Sequence, residues 1–91
     1  MDMNSKYVKN IIALANLCMA KGIPFMLNII FDGLQMRFPW CDSDVICHNW
    51  SYNSDDGLVE TYGFPWDDDD VTKLTPEEAA IKIDDYYHSK I

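Results

Sequence analysis

The chain has 91 residues, 48% of them hydrophobic and 24% charged, which fits one folded domain over 1–91 and leaves no room for a second. Fifteen acidic side chains against seven basic ones give a net charge of −8. This charge argues against direct binding to nucleic acid or to an anionic membrane, because both attract cations.

The cysteines and the N-terminal residues predict the compartment. Cys18, Cys41 and Cys47 are an odd number with no disulfide-framework spacing, which is typical of free thiols in a reducing cytoplasm. The first residues lack the basic and apolar regions of a secretory signal, and no apolar run approaches the roughly 20 residues of a membrane helix. We therefore expect a soluble, cytoplasmic protein.

The first predicted element is a helix over 5–21. Asn4 or Ser5 supplies its N-cap, and Gly22 tolerates the left-handed turn at its end. Its core face is predicted from apolar residues at helical spacing, namely Val8, Ile11, Ile12, Ala15, Cys18 and Met19.

Strands are predicted next. Residues 25–31 and 34–38 form a hairpin, with its turn at Asp32-Gly33, and Pro39 ends the second strand because proline cannot donate a ladder hydrogen bond. Residues 45–50 give a third strand, in which His48 is expected to be half-exposed, and residues 58–62 give a weaker fourth.

The last segment carries a helix start. Thr75-Pro76-Glu77-Glu78 offers a capping hydroxyl, a proline at the first helical position and a glutamate that reaches back to the cap. The fold class is therefore α+β, a three- or four-stranded antiparallel sheet with an N-terminal and a C-terminal helix. The buried stripe predicted for the second helix is Ala79, Ala80, Ile83, Tyr86 and Tyr87.

An eight-residue block occurs twice, with six identical positions. The copies are Phe38-Pro39-Trp40-Cys41-Asp42-Ser43-Asp44-Val45 and Phe64-Pro65-Trp66-Asp67-Asp68-Asp69-Asp70-Val71. One interpretation is structural: the aromatic rings are buried, and the aspartates accept backbone hydrogen bonds in a tight turn. A second makes the Asp-x-Asp pairs ligands of calcium, although neither copy has the glycine and glutamate of the calcium-loop pattern. A third is recognition, with carboxylates and a tryptophan presented together to a partner.

Charge is distributed unevenly along the chain. Residues 1–40 carry a net +2 and residues 41–91 a net −10, and no lysine or arginine occurs between Phe38 and Thr72. Such a surface fits a basic partner, because unpaired like charges otherwise repel. The partner-binding residues expected on this basis are Asp42, Asp44, Asp55, Asp56, Glu60, Trp66, Asp67, Asp68, Asp69 and Asp70.

No specific motif for chemistry is present. The spacing of Cys41, Cys47 and His48 matches no common zinc pattern, and no nucleophile turn or phosphate-binding glycine loop occurs. We therefore expect no catalytic residue, no metal site and no cofactor.

In size, charge, element order and its acidic-aromatic segments, the chain resembles the small acidic inhibitors encoded by bacteriophages and mobile elements, including anti-CRISPR proteins. The resemblance implies a non-enzymatic inhibitor that occupies a basic, nucleic-acid-binding surface of a host protein, such as a CRISPR effector, in the host cytoplasm. One alternative is an immunity protein or antitoxin that caps a nuclease. Another is a homo-oligomeric structural or regulatory protein, for example a homodimer whose interface buries aromatic residues.

Overall fold

The computed structural model describes residues 5–48, 57–69 and 73–90. Two helices and five strands make up an α+β fold, as predicted, with one strand more than expected. In chain order the elements are helix α1 (Lys6–Ala20), strands β1 (Met26–Ile30), β2 (Gly33–Arg37), β3 (Asp44–Cys47) and β4 (Val59–Tyr62), a 3-10 helix (Pro65–Asp69), strand β5 (Lys73–Leu74) and helix α2 (Pro76–Lys90).

The sheet is an antiparallel meander in the order β1-β2-β3-β4-β5, so each strand pairs with the next in the chain. Helix α1 packs on β2 and β3, helix α2 packs on β4 and β5, and the two helices contact each other. One continuous core lies between the helices and the sheet, and its fully buried side chains include Val8, Ile11, Leu14, Met36, Val45, Val59 and Ile83.

Helix α1 begins and ends within one residue of the predicted bounds, and α2 begins at the predicted residue. Ser5 caps α1 by accepting a hydrogen bond from the N–H of Tyr7 at 3.2 Å. At the other end Gly22 takes φ 71, and the Ile23 N–H donates to the carbonyl of Cys18 at 2.9 Å, which closes the helix in a Schellman motif. In α2, Thr75 Oγ1 accepts from the Glu78 N–H at 3.1 Å while Glu78 accepts from the Thr75 N–H at 3.0 Å. This reciprocal capping box confirms the predicted start of the helix.

The turn between β1 and β2 is one residue earlier than predicted. Its loop residues are Phe31 and Asp32, and Gly33 is already the first residue of β2, paired with Ile30. Phe31 takes φ 52, a left-handed conformation that is rare for a bulky side chain. Glycine is required at position 33 by its contact with the next strand rather than by the turn. A Cβ atom there would overlap the backbone carbonyl oxygen of Cys47.

Other expectations need correction. Met19, predicted on the core face of α1, is 65% exposed, since it lies at the edge of the buried stripe near the helix end. Strand β3 ends at Cys47, and residues 49–50 of the predicted strand lie outside the described residues. His48 follows the strand and is buried, with its ring edge-on to Phe31 at 5.0 Å, rather than half-exposed. Strand β5, only two residues long, had no pattern by which the sequence could reveal it. The predicted fourth strand is confirmed as Val59–Tyr62.

Candidate functional site

The two copies of the repeated block come together in space beside α2. Phe38 and Phe64 are both buried, and their rings meet edge to face with centroids 5.9 Å apart. Trp40 and Trp66 are half-buried on either side of this pair, and each contacts the ring of Tyr86, with centroid separations of 5.8 Å and 6.2 Å. The repeat therefore builds one aromatic cluster around Tyr86.

The first copy forms a turn that is tied to the start of β1. The indole N–H of Trp40 donates to the carbonyl oxygen of Pro24 at 2.9 Å, and the ring packs on Phe38 at 5.0 Å and on Tyr87 at 4.9 Å. The Ser43 hydroxyl donates to the Gly63 carbonyl at 2.8 Å. Through these bonds the first copy joins the chain before β1 to the chain after β4.

The second copy instead starts a 3-10 helix, and Asp67 is the cause. Its carboxylate accepts from the backbone N–H of Phe64 at 2.8 Å and from the hydroxyl of Thr61 at 2.6 Å. Pro65 is at the first helical position and Asp67 at the third. The start of α2 has the same arrangement, with Pro76 first and Glu78 third, and in both helices the acid accepts from the backbone N–H of the residue before the proline. The first copy has Cys41 at the place of Asp67, so it lacks the carboxylate that would cap a helix there.

Trp66 is held by the same network. Its indole N–H donates to Thr61 Oγ1 at 2.9 Å, and its ring stacks on Phe64 with a centroid distance of 4.4 Å and an interplanar angle of 7°. The Thr61 hydroxyl therefore accepts from Trp66 while it donates to Asp67. Because Thr61 is fully buried, this chain of hydrogen bonds fixes the orientation of the tryptophan from the core side.

Two surface clefts flank Tyr86, one at each copy of the repeat. The first has a volume of about 520 Å³, and its lining includes Trp40, Asp42, Tyr86 and Lys90. The second has a volume of about 290 Å³ and is lined by Pro65, Trp66, Lys82, Asp85 and Tyr86. Each cleft thus contains a tryptophan, a carboxylate and a lysine of α2.

In both clefts the lysine lies over an aromatic ring. Lys82 Nζ is 5.6 Å from the ring centroid of Trp66, and Lys90 Nζ is 5.3 Å from that of Tyr86. Both distances are within the range of a cation–π interaction. Lys82, Asp85 and Tyr86 had a signal in the sequence, since i, i+3 and i+4 spacing places them on one side of a helix, but nothing in the sequence showed that this side meets the repeat.

Four of the predicted acidic residues have described side chains, and these differ in their surroundings. Asp42 is exposed in the first cleft, and Asp67 is taken up by the internal hydrogen bonds described above. Asp44 accepts a hydrogen bond from the Gln35 side chain at 2.6 Å. In the strand register Asp44 lies opposite Arg37, and Glu60 lies opposite Lys73. The structure describes only the backbone of Asp68 and Asp69, and Asp55, Asp56 and Asp70 lie outside the described residues.

The geometry of the first copy does not favour the calcium interpretation, and the side chains of Asp68, Asp69 and Asp70 in the second copy lie outside the described part of the chain. Asp44 already accepts the Gln35 amide, and within residues 5–48, 57–69 and 73–90 no three histidine, cysteine or carboxylate side chains converge on a common point. The buried Cys18 thiol lacks a setting that would activate it. Burial, reinforced by the charge of Asp84, raises the pKa of the Cys18 thiol to about 11, so its nucleophilic thiolate form is disfavoured.

Comparison of the chain with protein-family models, curated proteins and solved structures finds no significant match. Across the described ranges, neither helix is long and apolar enough to cross a membrane. The candidate site is therefore defined by the two clefts beside Tyr86 and by the chemistry of their side chains.

Proposed function

We propose that this chain is a non-enzymatic binding protein that engages basic side chains of another protein through the two clefts beside Tyr86. The observation that carries the proposal is the shared composition of the clefts, each of which combines an aromatic ring with a carboxylate, Asp42 in the first and Asp85 in the second. Guanidinium and ammonium groups bind both to carboxylates and to aromatic faces.

The lysines already present in the clefts indicate how a partner would bind. Lys82 and Lys90 lie over the rings of Trp66 and Tyr86, so each ring is already a surface that accepts a cation. An arginine of the partner would displace the lysine, stack on the ring with its planar group and pair with the nearby carboxylate. The displaced lysine would return to solvent at little cost, because both side chains are on the surface of α2.

The rest of the acidic segment supports the same partner class through long-range attraction. Residues 38–72 contain no lysine or arginine, and their carboxylates raise the rate of encounter with a cationic surface even where they form no direct contact. We propose that this surface is the nucleic-acid-binding site of a host protein such as a CRISPR effector. The protein would then be a phage or mobile-element inhibitor that acts in the host cytoplasm.

The first experiment uses an arginine-rich peptide as the probe and isothermal titration calorimetry as the readout. We expect the double variant Asp42→Lys, Asp85→Lys to bind the peptide at least about tenfold more weakly, a loss of about 1.4 kcal/mol. The control is Asp32→Lys, Glu77→Lys, which changes the net charge equally but lies outside both clefts. Asp67 is left unchanged, because its carboxylate supports the fold. Equal weakening in both double variants would refute the clefts as the binding site.

A second experiment addresses the partner class. Immobilised protein is incubated with bacterial lysate, and the bound fraction is challenged with short duplex DNA. Release of a nucleic-acid-binding protein by the DNA, with no capture by the cleft variant, supports an inhibitor that occupies a nucleic-acid site. Capture of a single nuclease encoded beside the gene would instead identify an immunity protein or antitoxin.

A further inference from the structure

The two edges of the sheet differ in how they meet solvent. At one edge, β5 has only two residues, and one of them is the exposed Lys73, so this edge is short and charged. At the other edge, β1 has five residues that include no charge, proline or bulge, and it pairs without interruption with β2. A long, apolar edge strand is a template for another strand, and proteins normally blunt such an edge unless it is used.

Strand β1 exposes apolar side chains on both faces of the sheet. Leu27 and Ile29 lie opposite the buried Met36 and Leu34, so they point toward the helix side, yet they are 38% and 67% exposed. This exposure arises because α1 covers β2 and β3 rather than the edge. Met26, on the open face, is 48% exposed.

The outward backbone groups of β1 belong to Leu27 and Ile29. A two-residue hairpin loop closes on a pair that exchanges both of its backbone hydrogen bonds, here Ile30 with Gly33, and such pairs then alternate along the ladder. Asn28 and Met26 therefore bond inward to β2. The N–H and C=O groups of Leu27 and Ile29 point away from the sheet, and no strand of the described chain lies beyond them.

This pattern is self-complementary about Asn28. In an antiparallel pairing of two copies centred on Asn28, Leu27 lies opposite Ile29 of the second copy, and the two exchange both backbone hydrogen bonds. On the open face Met26 meets Ile30 of the second copy, and the two Asn28 residues face each other. Every cross-strand pair is then either apolar with apolar or amide with amide, which is the favourable arrangement.

The distribution of charge allows this pairing despite the net charge of −8. Residues 1–40, which include β1, carry a net +2 with Asp2 and Asp32 as their two acids, and the other thirteen acidic residues lie in residues 41–91. Three further strand spacings separate β1 from β4 in each copy, so the two β4 strands of a dimer would be roughly 34 Å apart at about 4.8 Å per spacing. Repulsion between the acidic halves is screened over that distance, since the Debye length is about 8 Å.

We propose that β1 is a homodimer interface, in which the β1 strands of two copies pair antiparallel about Asn28 to form one continuous sheet. The paired surface is small compared with the roughly 800 Å² per partner of stable complexes, so the expected dimer is in equilibrium with monomer at micromolar concentrations. This interface differs from the aromatic dimer interface considered from sequence, because the aromatic cluster is packed within each copy.

The test is sedimentation velocity over a concentration series. The wild-type protein is expected to shift from the mass of one chain to twice that mass, and Ile29→Lys is expected to stay monomeric because it places a charge at the centre of the paired strands. The matched control is Ile81→Lys, a similarly exposed isoleucine at 59% on α2, which should dimerise like the wild type. Circular dichroism confirms that both variants are folded.

Cross-linking tests the register independently. Two Asn28 residues facing each other would have Cα atoms about 4.5 Å apart, within the range of a disulfide. In a Cys41→Ser background, Asn28→Cys should form a covalent dimer on mild oxidation, whereas Tyr62→Cys, also highly exposed but on β4, should not. A wild-type protein that remains monomeric throughout the series overturns the proposal, as does a dimer that Ile29→Lys leaves intact.

Discussion

The rings of Phe38 and Phe64, which occupy the same place in the two copies of the repeat, meet edge to face at 5.9 Å. The shared aromatic residues of the copies thus form one structural unit. The copies differ at the residue after the tryptophan, Cys41 in the first and Asp67 in the second. That difference determines whether the chain turns or begins a helix, because only the carboxylate can cap the backbone.

The role of Asp67 predicts that Asp67→Ala destabilises the fold. The substitution removes both acceptors from the Phe64 N–H and the Thr61 hydroxyl, and we expect the free energy of unfolding to fall by about 2–3 kcal/mol. Urea denaturation followed by tryptophan fluorescence measures this loss. Asp42→Ala, an exposed aspartate of the first copy, should change stability by less than about 0.5 kcal/mol. Similar losses in the two variants would contradict the capping role.

The close approach of β2 to the end of β3 predicts that Gly33→Ala is damaging. A methyl group at this position would overlap the Cys47 carbonyl oxygen, so the strands must separate or the hairpin must shift. We expect a loss of about 2 kcal/mol or more in the free energy of unfolding. Tyr62→Ala, a substitution of a strand residue that is 72% exposed, serves as the control and should cost far less. A Gly33→Ala protein as stable as this control would show that the turn can move freely.

The capping box of α2 predicts a specific dependence of stability on pH. Hydrogen bonds from the backbone N–H and then the hydroxyl of Thr75 hold the pKa of the Glu78 carboxyl below its ordinary value. A carboxyl whose pKa is lower in the folded state stabilises the protein above its unfolded pKa of about 4.3, and this contribution is lost as pH falls through the folded pKa.

Glu78→Gln, which cannot titrate, tests this dependence. The difference in Tm between wild type and variant should be present at neutral pH and should shrink as the solution is acidified below pH of about 4. Differential scanning calorimetry across this range provides the measurement. Glu77→Gln, in the same helical turn, controls for the loss of one charge near the helix N-terminus. A difference for Glu78→Gln that is constant with pH would contradict the assigned hydrogen bonds.

The environment of Cys18 predicts slow alkylation. Burial, reinforced by Asp84, raises the pKa of this thiol to about 11, so at pH 8 it is both protonated and inaccessible. Iodoacetamide labelling followed by mass spectrometry should modify the half-buried Cys41 first and Cys18 only as fast as the protein unfolds. In urea all three cysteines should react. Equal rates for Cys18 and Cys41 in the native protein would show that α1 opens readily.

Local patterns were sufficient to predict both helices and most of the sheet. Ser5, Gly22 and Thr75 act within one or two turns of their own positions, so their effects can be derived from sequence alone. The hairpin was located correctly but its turn was misplaced by one residue. The requirement for Gly33 comes from Cys47 on the next strand rather than from its own backbone angles, and such a requirement has no local signal.

The candidate site was less predictable for the same reason. The sequence identified Trp66 and the acidic run that follows, but it could not separate Asp67, which caps the chain from within, from Asp42, which is exposed in a cleft. The contribution of α2 was missed as well. Lys82 and Asp85 reach the site only because the aromatic cluster positions α2 against the repeat.

The strand order has a consequence for how the chain folds. Because every strand pairs with its immediate successor, each step of sheet assembly closes only a short loop and costs little chain entropy. The exception is the packing of α1 on α2, marked by the contact of Lys21 with Asp84 at 3.4 Å, which joins the two ends of the chain. We therefore expect the docking of the terminal helices, rather than strand pairing, to set the height of the folding barrier.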